Sequence, residues 1–586
     1  MLLKSQEHLS VLKVIIITAL LIIFTSSLSV STDVDDSLAY IWPLPAQFTS
    51  GNDTLSVDPA LYLSVSGKGS GSKIVKEAFE RYKAIIFEHE VEGVNSHSVF
   101  NNFRKRRSWG FDIGTLKIVV HSDNEDLQLG VDESYTLLVA KNEGLSIIGE
   151  ATIEANTVYG ALRGLETFSQ LCSFDYDTKS VLVYKAPWYI QDKPRFAFRG
   201  LLIDTSRHYL PVDVIKQIIE SMSYAKLNVL HWHIIDEQSF PLEVPTYPNL
   251  WKGAYSKWER YTVEDAHEIV GPKGINVMAE VDVPGHAESW GAGYPNLWPS
   301  PSCREPLDVS KNFTFEVISG ILSDLRKIFP FELFHLGGDE VNTDCWSSTP
   351  HVKKWLRDHK MTAKEAYQYF VLTAQKIAIS KNWTPVNWEE TFNSFASNLN
   401  PRTVVHNWLG GGVCPKAVAK GFRCIYSNQG FWYLDHLDVP WDEVYTAEPL
   451  EGISDPSNQE LVLGGEVCMW GETADTSDIH QTIWPRAAAA AEDLYWLRSF
   501  IISLSHLLPL LLPAERLWSR REAISSGNIT LTALPRLHYF RCLLNRRGVQ
   551  AAPVLNKLVQ VYGSEAAFCM PTREEYVCSQ QPGPVL

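Results

Sequence analysis

Residues 198–236 read FRGLLIDTSRHYLPVDVIKQIIESMSYAKLNVLHWHIID. An apolar run, FRGLLID, leads into a segment with helical apolar spacing that opens near Pro211, and a second apolar run, LNVLHWHII, follows. Short apolar runs of this kind are strands buried on both faces, so the stretch is one strand, helix, strand unit. Six further runs continue the pattern: GINVMAEVD, FELFHLGG, TPVNWEE, TVVHNW, FRCIYSN and LVLGGEVCMW. Several of the segments between them have helical periodicity, as in FTFEVISGILSDLRKIF. Eight strands alternating with helical connections predict a (β/α)8 TIM barrel over residues 196–550. Upstream, residues 31–195 mix strand-like pieces (LKIVVHS, ESYTLLVA, LSIIGE) with helical ones (KEAFERYKAIIFE, TVYGALRGLETFSQLC). That order predicts a smaller α+β domain preceding the barrel, giving an α/β protein overall.

In such a barrel the chemistry gathers at the C-terminal strand ends. Polar and aromatic residues cluster there: Arg207 and His208, then His231, Trp232, His233 and Asp236, then Asp282 and His286, then Asp339 and Glu340. The later strands contribute Trp388 with Glu389, Trp408, then Trp432, Tyr433 and Asp435, and finally Trp470 and Glu472. Indoles stack on the apolar faces of a sugar ring, while Arg and carboxylates bond its hydroxyls in definite directions. The set therefore points to a carbohydrate pocket. The histidines of HWH at 231–233, with His286, His335 and His406, suggest a rival metal-dependent hydrolase. That reading leaves the aromatic lining and the paired acids unexplained, so no metal and no cofactor are expected.

The pair itself, in HLGGDE at 335–340, limits the mechanism. A retaining glycosidase with its own nucleophile needs two carboxylates flanking one anomeric carbon. Sequence neighbours can hardly act from opposite sides. If the substrate carries a 2-acetamido group, its own carbonyl oxygen can attack instead, forming an oxazolinium ion. Glu340 is then the acid and Asp339 the holder of the acetamide N–H. The charge of Asp339 is expected to raise the Glu340 pKa, with hydrogen bonds keeping Asp339 ionised.

The 586-residue chain is 45% hydrophobic and 20% charged, with a formal charge of -16, which excludes a disordered tail and disfavours nucleic acid and anionic membranes. Lys4 and Lys13, the run VIIITALLIIF and the polar TSSLSVST have the layout of a secretory signal over residues 1–30, too short for a stable membrane span. Secretory entry makes the nine cysteines candidate disulfide formers, and Asn52, Asn312 and Asn528 candidate glycosylation sites. The sequon at Asn382 opens a strand-like run and is expected to stay unmodified. The basic run RKRR at 104–107 reads as a solvated loop.

The motifs RGLLIDTSRHYLP, LNVLHWHIIDEQSFPLE, VDVPGHAESWG, FHLGGDEVNTDCW and CMWGE resemble those of the β-N-acetylhexosaminidases of glycoside hydrolase family 20, the plant enzymes above all. WPLPAQF and EANTVYGALRGLETFSQL extend the resemblance into the N-terminal domain. It implies an exo-acting enzyme that removes terminal β-linked GlcNAc or GalNAc from oligosaccharides and glycoproteins with retention, by substrate-assisted catalysis. Glu340 and Asp339 would be catalytic. Arg207 and Asp236 would bind O3 and O4, and Glu472 O4 or O6. Trp388, Trp408 and Trp470 would wall the acetamide pocket, with Tyr433 donating to the acetamide oxygen. Asp282 and His286 would form a network near Glu340. Asp435 would lie near O6 and disfavour a 6-sulfated sugar.

The resemblance also implies a Cys303–Cys345 disulfide, a homodimer, and a vacuolar location, with the extracellular space as alternative. Cys414 and Cys424 are candidates to pair with each other, and Cys542 with Cys569 or Cys578, while Cys172 and Cys468 read as buried thiols. The chain departs from the family in three places. The second barrel helix is short, ending at Gly271 and Pro272. An apolar insertion at 493–515 interrupts the last helical region, as a retained intron would, and the tail at 551–586 is atypical. These departures keep a catalytically impaired glycan-binding protein of the same fold as the alternative reading.

Overall fold

The computed structural model describes residues 39–89, 111–143, 146–271, 274–493 and 529–554, together with strands at 567–571 and 576–580. The signal segment, RKRR, Pro272, Asn528 and nearly all of the 493–515 insertion lie outside the described residues. Among the described residues no helix is long and apolar enough to cross a membrane.

The N-terminal domain is an eight-stranded sheet. Its strands are β1 (Gln47–Thr49), β2 (Asp53–Ser66), β3 (Ile113–Val120), β4 (Tyr135–Glu143), β5 (Ser146–Ala155), β6 (Cys172–Asp175), β7 (Ser180–Ala186) and β8 (Trp188–Asp192), in the order β1-β8-β4-β5-β3-β2-β7-β6. Two helices, Lys73–Ile86 and Val158–Leu171, pack against each other beside it, and every residue of the second is buried. That helix touches the barrel as well as the sheet. Arg163 donates to Glu133 Oε2 (2.7 Å) and also to the carbonyls of Leu227 and Gly274. Arg199, on the first barrel strand, donates to the same Glu133 oxygen at 2.7 Å. Burial works against the charge of Glu133, yet the two guanidiniums lower its pKa to about 2.

The barrel is closed, with all strands parallel: β9 (Phe198–Asp204), β10 (Val229–Ile235), β11 (Asn276–Val281), β12 (Leu333–His335), β13 (Thr384–Trp388), β14 (Val404–Asn407), β15 (Arg423–Tyr426) and β16 (Val462–Met469). Each expected run falls on one of these strands. Side chains two residues apart share a face, so each strand sends alternate residues inward and the interior is built in layers. Phe198, Val229, Met278, Leu333, Val386, Val404 and Ile425 form an apolar plug. One step along the strands come His231, Glu280, His335, His406 and Glu466, all fully buried. A further step brings Trp388, Tyr433 and Cys468, with Trp408 and Trp470 packed against them.

The helix between β10 and β11 is short, as expected (Val263–Ile269), but Thr262 and Asp265 close a capping box and β10 still pairs with β11 from Val229 to Ile235. The short helix leaves this strand pairing in place. Cys303–Cys345 and Cys414–Cys424 are disulfides, Cys542 is disulfide-bonded, and Cys172 and Cys468 are free, the former only half-buried. Asn52 and Asn312 are exposed. Asn382 is exposed too, in a turn at φ 64° before β13 and not within the strand, so strand membership does not protect it.

Candidate active site

At the C-terminal end of the barrel lies a cavity of about 210 Å³. Arg207, Asp236, Asp282, His286, Asp339, Glu340, Trp388, Trp408, Tyr433, Asp435, Trp470 and Glu472 all line it, so the residues singled out from sequence converge on one place.

One side is aromatic. Trp388 forms a floor, stacked at 4.2 Å on His406 beneath it. Trp408 and Tyr433 stand nearly parallel (6.3 Å, 13°), and Trp470 lies 6.0 Å from Tyr433. Tyr433 reaches this position because the loop after β15 returns to β16, where Leu434 N–H donates to the Cys468 carbonyl at 2.7 Å.

The opposite end is polar. Arg207 donates to Asp204 Oδ2 and Asp236 Oδ2, both at 2.9 Å, and faces Glu472 at 3.5 Å. Burial opposes its charge, but the three carboxylates raise its pKa. Asp236 also accepts from His233 Nε2 (2.8 Å) and His286 Nδ1 (3.1 Å). Against the cost of burial, these bonds hold Asp236 well below the ordinary carboxylate range.

Between the two ends stand the acids. His286 Nε2 lies 3.5 Å from Glu340 and 3.7 Å from Asp339. Burial opposes the charge of His286, while its bonds to Asp236 and Glu340 raise its pKa, so it is an imidazolium. Two expectations need correcting. Glu340 is lowered, first by the bond from His286, and Asp339 is raised, chiefly by burial. The cation beside Glu340 outweighs its acidic neighbour because 60% of the Glu340 side chain is open to water, whereas Asp339 is enclosed. Asp282, expected with His286 in a network near Glu340, lies next to Asp339 and His286. Burial and the Asp339 charge raise its pKa well above normal, and its Oδ1 accepts from Gly338 N–H at 2.8 Å.

Sequence reasoning missed several supporting groups. Asp204 anchors Arg207, and its signal was an acid three residues upstream at a strand end. Glu390 meets Trp408 Nε1 with both oxygens at 3.0 Å, and burial with the Asp339 charge raises its pKa to about 8. Arg486 donates to the carbonyls of Leu434 and His436, gripping the loop that carries Asp435. Of the histidines behind the metal reading, His231, His335 and His406 are buried in the layer beneath Trp388, engaged with Glu280, Glu466 and one another, while His233 and His286 line the cavity.

Residues 196–498 match the catalytic domain of glycosyl hydrolase family 20, and residues 41–171 match a domain described as β-acetyl hexosaminidase like. The chain is 71% identical to β-hexosaminidase 1 of Arabidopsis thaliana over 535 residues, covering 91% of this chain and 94% of that protein. It is 53% identical to β-hexosaminidase 3 of the same plant, covering 88% and 91%. Among solved structures, a chitobiase of Flavobacterium johnsoniae aligns with a TM-score of 0.71 at 26% identity, over 87% of this chain and 73% of that one. Fold, cavity and sequence agree: the chain belongs to glycosyl hydrolase family 20 and is a glycoside hydrolase.

Proposed function

We propose that the protein is a β-N-acetylhexosaminidase that removes terminal non-reducing GlcNAc or GalNAc from glycans with retention, using the substrate's own acetamide as nucleophile. One observation carries this reading: Asp339 lines the same cavity as the aromatic box of Trp388, Trp408, Tyr433 and Trp470 and as the adjacent Glu340. With the acetamide in the box, Asp339 accepts its N–H and the carbonyl oxygen is directed at the anomeric carbon. Glu340 protonates the leaving oxygen as the glycosidic bond breaks, giving an oxazolinium ion whose positive charge Asp339 balances. Glu340, now a carboxylate, takes a proton from water, which opens the ring and restores the β configuration. The cavity is of monosaccharide size and ends at the Arg207 cluster, which supports exo action. The presence of both acids argues against a binding-only role.

Release of p-nitrophenol from its β-N-acetylglucosaminide, compared with the β-glucoside, tests the proposal. Rapid release from the first alone is expected, with Glu340→Gln and Asp339→Asn each lowering kcat by about 10²- to 10⁴-fold. Equal cleavage of the glucoside, or a fully active Glu340→Gln variant, would sink it. Asp435, half-buried in the wall of the same cavity, supports a preference for neutral sugars, and a 6-sulfated substrate should turn over more slowly. We further propose secretory routing, with the vacuole as destination, and a homodimer. The exposed Asn52 and Asn312 and the disulfides support the routing, and family resemblance the vacuole and the dimer.

A further inference from the structure

We propose that Glu280, which does not line the cavity, is a positioning residue for the proton donor, acting through His233, Asp236 and His286. The inference rests on the catalytic reading above.

Glu280 is wholly buried on β11, and four nitrogens face its carboxylate. Oε1 accepts from Trp388 Nε1 at 3.0 Å and lies 2.7 Å from His335 Nδ1. Oε2 accepts from His233 Nδ1 at 2.6 Å and faces His231 Nε2 at 3.0 Å. The decisive feature is His233. Its Nδ1 meets Glu280 and its Nε2 meets Asp236 at 2.8 Å, so both nitrogens must carry protons and the ring is an imidazolium. Its pKa of about 10, raised by the two carboxylates against the cost of burial, agrees. His233 and Arg207 together occupy Asp236 Oδ2, leaving Oδ1 for His286 Nδ1. That bond turns His286 Nε2 toward Glu340. A line of alternating charge thus runs Glu280, His233, Asp236, His286, Glu340, and the carboxylate at its root also fixes the floor of the acetamide pocket.

Other charged groups face Glu280 without joining this line. On β10 and β12, His231 bridges to Glu466 (2.8 Å) and His335 leads to His406 (3.2 Å). On its own strand side, Asp282 and Asp339 interact with it electrostatically. Glu466 is as deeply buried as Glu280 and also binds His231, yet it reaches His233 and Asp236 only by way of Glu280, which makes it the internal control.

The test compares full-length Glu280→Gln, His233→Gln and Glu466→Gln proteins with the unaltered chain, using p-nitrophenyl β-N-acetylglucosaminide over a range of pH, with thermal melting to confirm folding. In Glu280→Gln the amide oxygen can still accept from Trp388, but the amide nitrogen makes His233 neutral. Loss of that cation, nearer to Glu340 than Glu280 is, raises the Glu340 pKa. The alkaline limb of kcat/KM should move up by about half a unit to one unit, and kcat should fall by about tenfold to a hundredfold, with KM little changed. His233→Gln should shift the limb in the same direction, and Glu466→Gln should leave it in place. A folded Glu280→Gln protein with the unaltered profile and kcat would overturn the proposal, as would an equal shift in Glu466→Gln. If Glu280→Gln does not fold, an unaltered profile in His233→Gln overturns it alone. An unaltered chain inactive on the acetamido glycoside would instead bring down the catalytic reading, and this inference with it.

Discussion

Glu340 has a left-handed backbone at φ 48°, and so does His286 at φ 53°. Non-glycine residues occupy this region rarely and at an energetic cost, so the surrounding fold imposes it. Its result is that the two side chains meet over the cavity mouth. The bond from His286 then holds Glu340 below the usual carboxylate range, in the wrong state for an acid. A bound sugar covers the exposed part of Glu340 and removes water from it, which favours the neutral form. On the proposed mechanism, activity needs that proton and falls as pH rises through the Glu340 pKa. The limb of kcat/KM reports the free enzyme and that of kcat the occupied one. The alkaline limb of kcat is therefore expected at higher pH than that of kcat/KM, in rates measured from about pH 3 to about pH 8. Coincident limbs would show that the sugar leaves Glu340 as it was. That Asp339 and Glu340 both reach the cavity was readable from sequence, because both lie at one strand end beside two glycines. Their proton affinities were not, since those depend on His286, 54 residues away in the chain, and on which carboxylate is open to water.

At the scale of elements, β12 is only three residues long, and the two glycines after it steer the acids. Leu336 N–H still donates to the Val386 carbonyl at 2.9 Å, and Trp388 N–H to the Gly337 carbonyl at 3.1 Å, so the chain leaves the barrel under tight control. Gly337 has φ 59°, and a Cβ there would lie 1.9 Å from the carboxyl carbon of Asp282. Gly337→Ala thus adds about 1–2 kcal/mol of backbone strain and pushes Asp282 off Asp339. A lower melting temperature and a loss of kcat of about tenfold or more are expected, and an alanine variant with unaltered kcat would refute this account of the turn. The barrel strands were legible because parallel strands covered on both faces read as unbroken apolar runs. Much of the N-terminal sheet was not. β2 contains Pro59 and alternates irregularly between buried and exposed positions, and β7 and β8 follow each other with one residue between them, so no clean period marks them. Glu280 and Glu466 of the buried polar layer were hidden for the opposite reason. They sit inside apolar runs, where a charge has no sequence signal unless its partners on other strands are known.

Across the whole molecule, buried charge ties the parts together, and its titration sets a window of stability. Three groups illustrate the two sides. His231 and His233 are raised from an ordinary 6.5 to about 9 and about 10, mainly by Glu466 and Glu280, which overcome the opposing effect of burial. A group whose folded pKa is raised contributes fully below its unfolded value and loses that contribution as pH climbs through the folded one. Glu133, between the N-terminal domain and the barrel, is lowered from 4.5 to about 2. Its contribution is complete above the unfolded value and disappears as pH falls toward the folded one. The two signs together give a plateau of melting temperature between about pH 4.5 and about pH 6.5. On the alkaline side stability should decline steadily toward pH 10, and on the acid side toward pH 2. Melting followed by calorimetry across this range checks it. His233→Gln removes one of the two raised imidazoles, so its alkaline decline should be shallower than that of the unaltered chain, although its absolute stability is lower. Melting temperatures that rise from pH 6.5 toward 9 would mean that the imidazoles under the cavity are neutral in the folded protein, and the line of charge from Glu280 to Glu340 would lose its cation.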